Sequence, residues 1–158
     1  MAVWQHDYVI IPRTKLMEFY GQIPVSVSEE DYNRFDWWGG VPEPNPVEIE
    51  KILLPTTSWS DQVKIWGSDN GNRFSLYYGD DGQLQSVKLR VDLRKEFPEV
   101  REFIESMIRL AQIHEWMFCA EGLEIFTPDY EVLAKNMNLS NAQNFMNSHP
   151  AANFADDL

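Results

Sequence analysis

The feature that most constrains the fold is a stretch, at about 62–94, in which apolar and polar residues alternate. Two dipeptides, Asn70-Gly71 and Asp81-Gly82, divide this stretch into three runs. Successive side chains of a strand point to opposite faces of a sheet, so a period of two is typical of strands buried on one face. Asn-Gly and Asp-Gly tolerate the positive φ of tight hairpin turns. The pattern therefore predicts a three-stranded antiparallel meander at about 62–94.

The flanking segments predict an α+β fold, in which helices pack on an antiparallel sheet. β-Branched residues followed by proline indicate a strand near 7–12, and apolar runs on either side of Gly122 indicate a hairpin at 115–127. Apolar residues recur at helical spacing after Pro98, a residue type that suits the first turn of a helix. We therefore expect the main helix at about 98–114, covering one face of the sheet.

Shorter helices are indicated by capping residues such as Ser28, which precedes three acids that suit a helix amino terminus. The expected short helices lie at about 14–20, 29–37, 46–53 and 128–137, with a last one that begins at Ser140. The linker-like run of glycine and proline at 39–46 is interpreted as a surface loop. The chain is thus expected to form a single domain, 1–158, with a loosely ordered tail from about 151.

Length and composition favour a globular protein of the cytoplasm. The chain has 158 residues, 44% of them hydrophobic, which is enough to bury a core without disulfides or metals. Its apolar runs are only a few residues long, far short of the roughly 20 needed to cross a bilayer. Cys119 is the single cysteine, which excludes an internal disulfide, and its apolar neighbours predict a buried thiol.

The net charge of −12 bears on the choice of partner. Clustered Lys and Arg are needed to bind phosphate backbones, so an acidic chain of this kind disfavours nucleic acids and anionic membranes. Within the chain, residues 62–95 carry four acids and six bases, whereas the segments on both sides are strongly acidic. The balance favours another protein, itself basic, as the partner.

Residues suited to catalysis are few. The three histidines, His6, His114 and His149, include no convincing general base, because His6 and Asp7 would point to opposite faces of a strand. His114 is expected to be a satisfied, half-buried side chain. No glycine-rich phosphate loop and no pair of histidines at zinc-ligand spacing is present. The sequence therefore predicts no catalytic residue, no metal and no cofactor, and it favours binding over enzymatic activity.

Two groups of residues are candidates for binding. Alternation would bring basic and aromatic side chains together on the polar face of the predicted meander, namely Lys64, Trp66, Arg73, Tyr77, Lys88, Arg90 and Arg94. Such a face suits single-stranded nucleic acid or a phosphorylated ligand, although a solvated face is the simpler interpretation. Trp37 and Trp38 enter a glycine and proline loop, where they could anchor a partner, line a pocket or plug the edge of the core.

Three functions remain open, and no motif identifies a family. The first is a non-catalytic acidic module that binds a protein, such as an inhibitor or immunity-type protein that neutralises a basic toxin. The second is a small-ligand-binding protein or enzyme with a cleft near Trp37 and Trp38. The third is a binder of single-stranded nucleic acid that uses the basic and aromatic sheet face.

Overall fold

The computed structural model describes residues 4–137, which form an antiparallel sheet of seven strands and five helices. The predicted α+β fold class is confirmed. Within residues 4–137, no helix has both the length and the apolar character needed to cross a membrane. The helix predicted from Ser140 and the tail predicted from 151 lie outside the described residues.

The elements follow the sequence signals with shifted ends. The strands are β1 (Gln5–Pro12), β2 (Pro55–Thr56), β3 (Val63–Gly67), β4 (Arg73–Tyr78), β5 (Leu84–Asp92), β6 (Trp116–Ala120) and β7 (Ile125–Phe126). The helices are α1 (Arg13–Tyr20), α2 (Glu29–Arg34), α3 (Pro46–Glu50), α4 (Phe97–His114) and α5 (Tyr130–Met137). The second and third helices end earlier than predicted, α2 because the chain leaves helical geometry at Phe35, where ψ is 142°.

The strand order is β2-β3-β4-β5-β1-β6-β7, so the first strand lies near the middle of the sheet. Directly opposed residues of an antiparallel pair share a face. The pairs Tyr8↔Leu89 and Phe74↔Leu89 therefore place these three side chains together. They belong to the face that α4 and α5 cover, which we call the helix face, where Ile104 and Met107 of α4 pack against them. The main helix thus covers the sheet as expected.

The opposite face is only partly covered, and we call it the second face. Asp7, Ser75, Tyr77, Lys88 and Arg90 belong to it, because each lies beside a residue of the helix face along its strand. Toward β6 this face is apolar and buried. Toward β4 it is polar, and Lys88 is exposed.

The sheet opens between β1 and β5. Their ladder ends at Val9↔Lys88, although β1 continues to Pro12 and β5 begins at Leu84. Beyond Val9, β1 stays paired with β6 through Pro12↔Trp116, while β5 stays paired with β4. The two strands diverge, and the chain at 32–38 lies against the opening.

Candidate functional site

A cleft of about 420 Å³ lies where β1 and β5 diverge. Its lining combines aromatic and aliphatic side chains with polar and charged ones: Val9, Ile10, Tyr32, Asn33, Arg34, Phe35, Asp36, Trp37, Trp38, Gln85 and Ser86. Clefts that bind small molecules measure about 300–1,000 Å³ and pair an apolar wall with a few polar groups. The opening therefore has the size and the lining of a ligand site.

The wall formed by 32–38 is held by local contacts. Ser28 caps α2 by accepting a hydrogen bond from the Asp31 amide at 3.1 Å. The ring of Phe35 stacks on Phe19 of α1 with centroids 4.2 Å apart. The Trp37 indole N–H donates to the Tyr32 carbonyl at 3.0 Å. These contacts fix the aromatic wall before any ligand arrives, which lowers the entropy cost of binding.

A tight turn returns the chain after Trp38. The Asp36 carboxylate accepts a hydrogen bond from the Gly39 amide at 3.0 Å. A Cβ at position 39 would clash with that carboxylate, and Gly40 has a φ of +73°. Gly40 thus has the positive φ that favours glycine, and Gly39 leaves room for the Asp36 carboxylate.

Trp38 is 3% exposed and packs edge-to-face on Trp116, with ring centroids 6.0 Å apart. Trp37 is buried as well. The two tryptophans thus belong to the core and line the cleft at the same time. The Trp38 indole N–H has no hydrogen-bond partner within residues 4–137. A buried donor left unpaired costs about 1–3 kcal/mol.

Ser86 carries a second unpaired group on the same cleft. Its hydroxyl is inaccessible to solvent and has no hydrogen-bond partner among the described residues. The Tyr32 hydroxyl lies nearby, but the two do not meet in hydrogen-bond geometry. Burial raises the pKa of Tyr32, the nearby Cys119 thiol adds to the increase, and the interaction of its hydroxyl with that of Ser86 opposes it. Trp38 and Ser86 thus both line the cleft, and each holds a buried polar atom.

The charged residues of the cleft are already engaged. Arg34 pairs with Asp31 at 3.2 Å, and its guanidinium lies 4.8 Å from the Phe35 ring. Asp36 is held by the Gly39 amide. The groups left for a ligand in the cleft itself are therefore neutral donors and aromatic rings.

A smaller pocket of about 120 Å³, which we call the basic pocket, lies on the second face. Its lining consists of Asp7, Arg73, Ser75, Tyr77, Lys88, Leu89 and Arg90. Both arginines are paired, Arg90 with Asp7 at 2.9 Å and Arg73 with Asp69 at 3.5 Å. Lys88 is in no ion pair within the described residues, and its Nζ lies 4.9 Å from the Tyr77 ring.

The predicted basic and aromatic face is only partly correct. Tyr77, Lys88, Arg90 and Arg73 do share the second face. Lys64 and Trp66 belong to the helix face instead, because they pair with Leu76 and Phe74. Trp66 is 4% exposed and packs against Phe74, so its place in the predicted group was wrong.

Arg94 was also misplaced by the prediction. It follows β5 and is 9% exposed, bonded to the Asp92 carboxylate at 3.0 Å and to the Asn70 carbonyl at 2.6 Å. A buried guanidinium held in this way is part of the fold, not of an open surface. The nucleic-acid hypothesis thereby loses three of the seven side chains it needs, since Lys64 and Trp66 face elsewhere.

The candidate catalytic side chains have structural contacts. His6 bonds Asn136 at 3.1 Å while Asp7 pairs with Arg90, so the two neighbours point apart as expected. His114 bonds Glu48 at 2.9 Å and stacks on Trp116. Burial raises the pKa of the Cys119 thiol to about 11, so it is overwhelmingly protonated at neutral pH.

Several cleft residues were missed from the sequence. Tyr32 and Asn33 lie on a short helix without a motif, and Ser86 is one polar residue among several on an alternating strand. No sequence signal marks where the β1–β5 ladder ends. The one usable signal was the Trp37-Trp38 pair before two glycines.

Comparisons with known proteins identify no family for this chain. No protein-family model, no curated protein and no solved structure matches this chain. In the part of the chain that the structure describes, no three His, Cys, Asp or Glu side chains converge as a metal site would require.

Proposed function

We propose that this chain is a small-molecule-binding protein whose ligand occupies the cleft between β1 and β5. The observation that carries the proposal is a cleft of about 420 Å³ lined by Trp38, whose buried indole N–H has no hydrogen-bond partner within residues 4–137. We also propose the cytoplasm as its compartment, which suits a chain whose single cysteine is a buried, free thiol.

The unpaired groups favour a ligand that accepts hydrogen bonds. Buried polar groups are nearly always satisfied in native proteins, so an exception calls for a partner such as a ligand or a bound water. A ligand acceptor facing Trp38 would remove the cost of the unpaired N–H on binding. Trp66 also has a buried, unpartnered indole N–H, but it does not line the cleft. It therefore serves as the control that separates a ligand effect from a packing effect.

The described lining of the cleft favours binding over catalysis. It includes no histidine and no cysteine, and its one carboxylate, on Asp36, is committed to the turn. The charged groups are engaged, so the ligand portion held here should be neutral. Four aromatic residues, Tyr32, Phe35, Trp37 and Trp38, favour a flat ring system.

Calorimetric titration with neutral heteroaromatic compounds tests the proposal. Adenosine, cytidine and nicotinamide are suitable probes, because each is flat and accepts hydrogen bonds. We expect at least one to bind the wild type, and Trp38→Phe to weaken that binding about tenfold, the equivalent of one hydrogen bond of about 1.4 kcal/mol. Trp66→Phe should leave the affinity unchanged. No binding by any probe, or equal losses in both variants, would overturn the proposal.

A second candidate is recognition of a basic protein by the amino-terminal half of α4. Glu96, Glu99 and Glu102 are exposed there and are in no ion pair within residues 4–137. Phe97, which is 40% exposed, lies at the same end of the helix. Unpaired carboxylates around an exposed aromatic ring suit a basic partner, including a toxin that an immunity-type protein would neutralise.

Charge reversal tests this second candidate. Basic proteins encoded beside this gene are the partners to measure. The double variant Glu99→Lys with Glu102→Lys should slow association at least tenfold at low salt. The same change at Glu29 and Glu30 of α2 is the control, because it alters net charge equally at another place. The second candidate would be contradicted by equal effects of the two double variants, or by the absence of binding to any basic protein encoded beside this gene.

A further inference from the structure

The cleft and the basic pocket are neighbours on one face of the sheet. Val9 and Ser86 line the cleft, whereas Tyr77 and Lys88 line the basic pocket. The sheet register interleaves the four residues, because Val9 pairs with Lys88 and Tyr77 pairs with Ser86. Opposed residues share a face, so the two cavities adjoin.

The spacing between the two cavities is that of a single small molecule. Ser86 and Lys88 are two residues apart on β5 and point to the same side. Side chains at this spacing on a strand are about 7 Å apart. A ligand that lies against Ser86 therefore needs only a short extension to reach the Lys88 ammonium.

The basic pocket offers an anion one unengaged charge and one buried hydroxyl. Within residues 4–137 Lys88 is in no ion pair, while Arg73 and Arg90 hold carboxylates of their own. Ser75 is 1% exposed, lines the pocket and makes no side-chain hydrogen bond within the described residues. An ammonium beside an unpaired hydroxyl suits one phosphate or carboxylate group.

We propose that the ligand joins a flat, neutral heteroaromatic group, held in the cleft, to a single anionic group that pairs with Lys88. The inference rests on the proposed function and specifies its ligand class. A mononucleotide has this construction, with a base for the cleft and one phosphate for the basic pocket. A polyanion does not fit, because the two arginines are neutralised and the chain carries a net charge of −12.

Matched ligands and matched variants test the proposal. The ligand pairs are adenosine with adenosine monophosphate, and cytidine with cytidine monophosphate, which differ chiefly in the anion. Lys88→Met removes the ammonium and keeps a flexible apolar stem. Lys64→Met is the control, since Lys64 is equally exposed and its Nζ lies 5.2 Å from the Tyr78 ring, but on the other face.

At low salt we expect the anionic member of a pair to bind the wild type about tenfold more tightly than the neutral member, a typical gain for a charge-assisted hydrogen bond. Lys88→Met should abolish this difference and leave the neutral ligand unaffected. Lys64→Met should change neither affinity. Melting temperatures near that of the wild type would show that both variants fold.

The outcomes separate this inference from the function beneath it. If neutral probes bind and the anion adds nothing, or if Lys64→Met has the same effect as Lys88→Met, the inference is wrong and the proposed function stands. If no probe of either kind binds, both are wrong. Tighter binding of oligoadenylate than of the mononucleotide would replace the small ligand with a nucleic acid and overturn the inference.

Discussion

Two cavities of the same sheet differ in how their polar groups are satisfied. Beneath α4, an apolar space of about 10 Å³ remains, and the polar tip of its lining residue Tyr8 donates a hydrogen bond to Asn136 at 2.6 Å. In the cleft, about 420 Å³ is open, and Trp38 and Ser86 each hold a polar atom without a partner among the described residues. The first region is packed for stability. The second retains volume and unpaired groups that a ligand could use.

The contrast indicates where sequence changes should affect stability and where they should affect binding. Native interiors pack to the density of organic crystals and pair their buried polar atoms. The region beneath α4 meets both conditions, and the cleft meets neither. Substitutions beneath α4 should therefore destabilise the fold, whereas removal of an unpaired polar group at the cleft, such as the Ser86 hydroxyl, should cost little stability.

The largest expected effect is the loss of packing beneath α4. Ile104→Ala removes a side chain that is 2% exposed and should lower the free energy of unfolding by about 2–5 kcal/mol. Ile113→Ala, on the same helix at 70% exposure, should cost less than about 0.5 kcal/mol. Urea denaturation measures both. Similar costs for the two variants would show that α4 does not seal a packed core.

Next in size is the loss of one hydroxyl from each region. Tyr8→Phe removes a satisfied donor and should cost about 1 kcal/mol, because it breaks the bond to Asn136. Ser86→Ala removes a hydroxyl that has no partner, so the free energy of unfolding should stay the same or rise slightly. The same denaturation experiment compares them. A larger loss for Ser86→Ala would mean that its hydroxyl is satisfied after all.

The smallest effect is the pH dependence contributed by His6 at the edge of the packed region. Burial lowers the pKa of His6 below its ordinary 6.5, although Asn136, Glu121 and Asp7 oppose the shift. Above pH 6.5, His6 is neutral in both the folded and the unfolded state, so protonation of His6 does not lower the free energy of unfolding there. As the pH falls from 6.5 through the lower folded value, the unfolded chain takes up the proton first and stability is lost.

His6→Gln isolates that contribution, because glutamine keeps a hydrogen bond to Asn136 and does not titrate. Between pH 7.5 and pH 5, the free energy of unfolding should fall further for the wild type than for the variant. Urea denaturation at each pH measures both values. A wild type that gains stability relative to the variant on acidification would reverse the sign and contradict the burial of His6.

Much of the packed region was predictable from sequence, because local patterns determine it. On β5, Val87, Leu89 and Val91 alternate with polar residues, and all three are buried on the helix face as the pattern requires. The periodicity after Pro98 likewise located α4 to within one residue of its start. Period and turn chemistry act over a few residues, so a single sequence carries them.

The cleft was not predictable, because it depends on pairing between distant strands. On β3, Ile65 and Trp66 are both buried, so alternation could not assign Trp66 to a face. The cleft itself exists because the ladder of β1 with β5 ends at Val9↔Lys88. Residues 79 positions apart set that limit, and no local pattern records it. The Trp37-Trp38 pair located one wall and left the other unknown.

The most direct test of ligand binding at the cleft is to follow the indole N–H groups of Trp38 and Trp66 in one spectrum, because neither has a hydrogen-bond partner within residues 4–137. A nitrogen–proton correlation spectrum resolves each tryptophan indole, and Trp38→Phe and Trp66→Phe assign the two signals. On addition of adenosine monophosphate, the Trp38 signal should move downfield as its N–H gains an acceptor, while the Trp66 signal stays in place. A Trp38 signal that does not respond to a bound ligand, or equal shifts of both signals, would contradict the account.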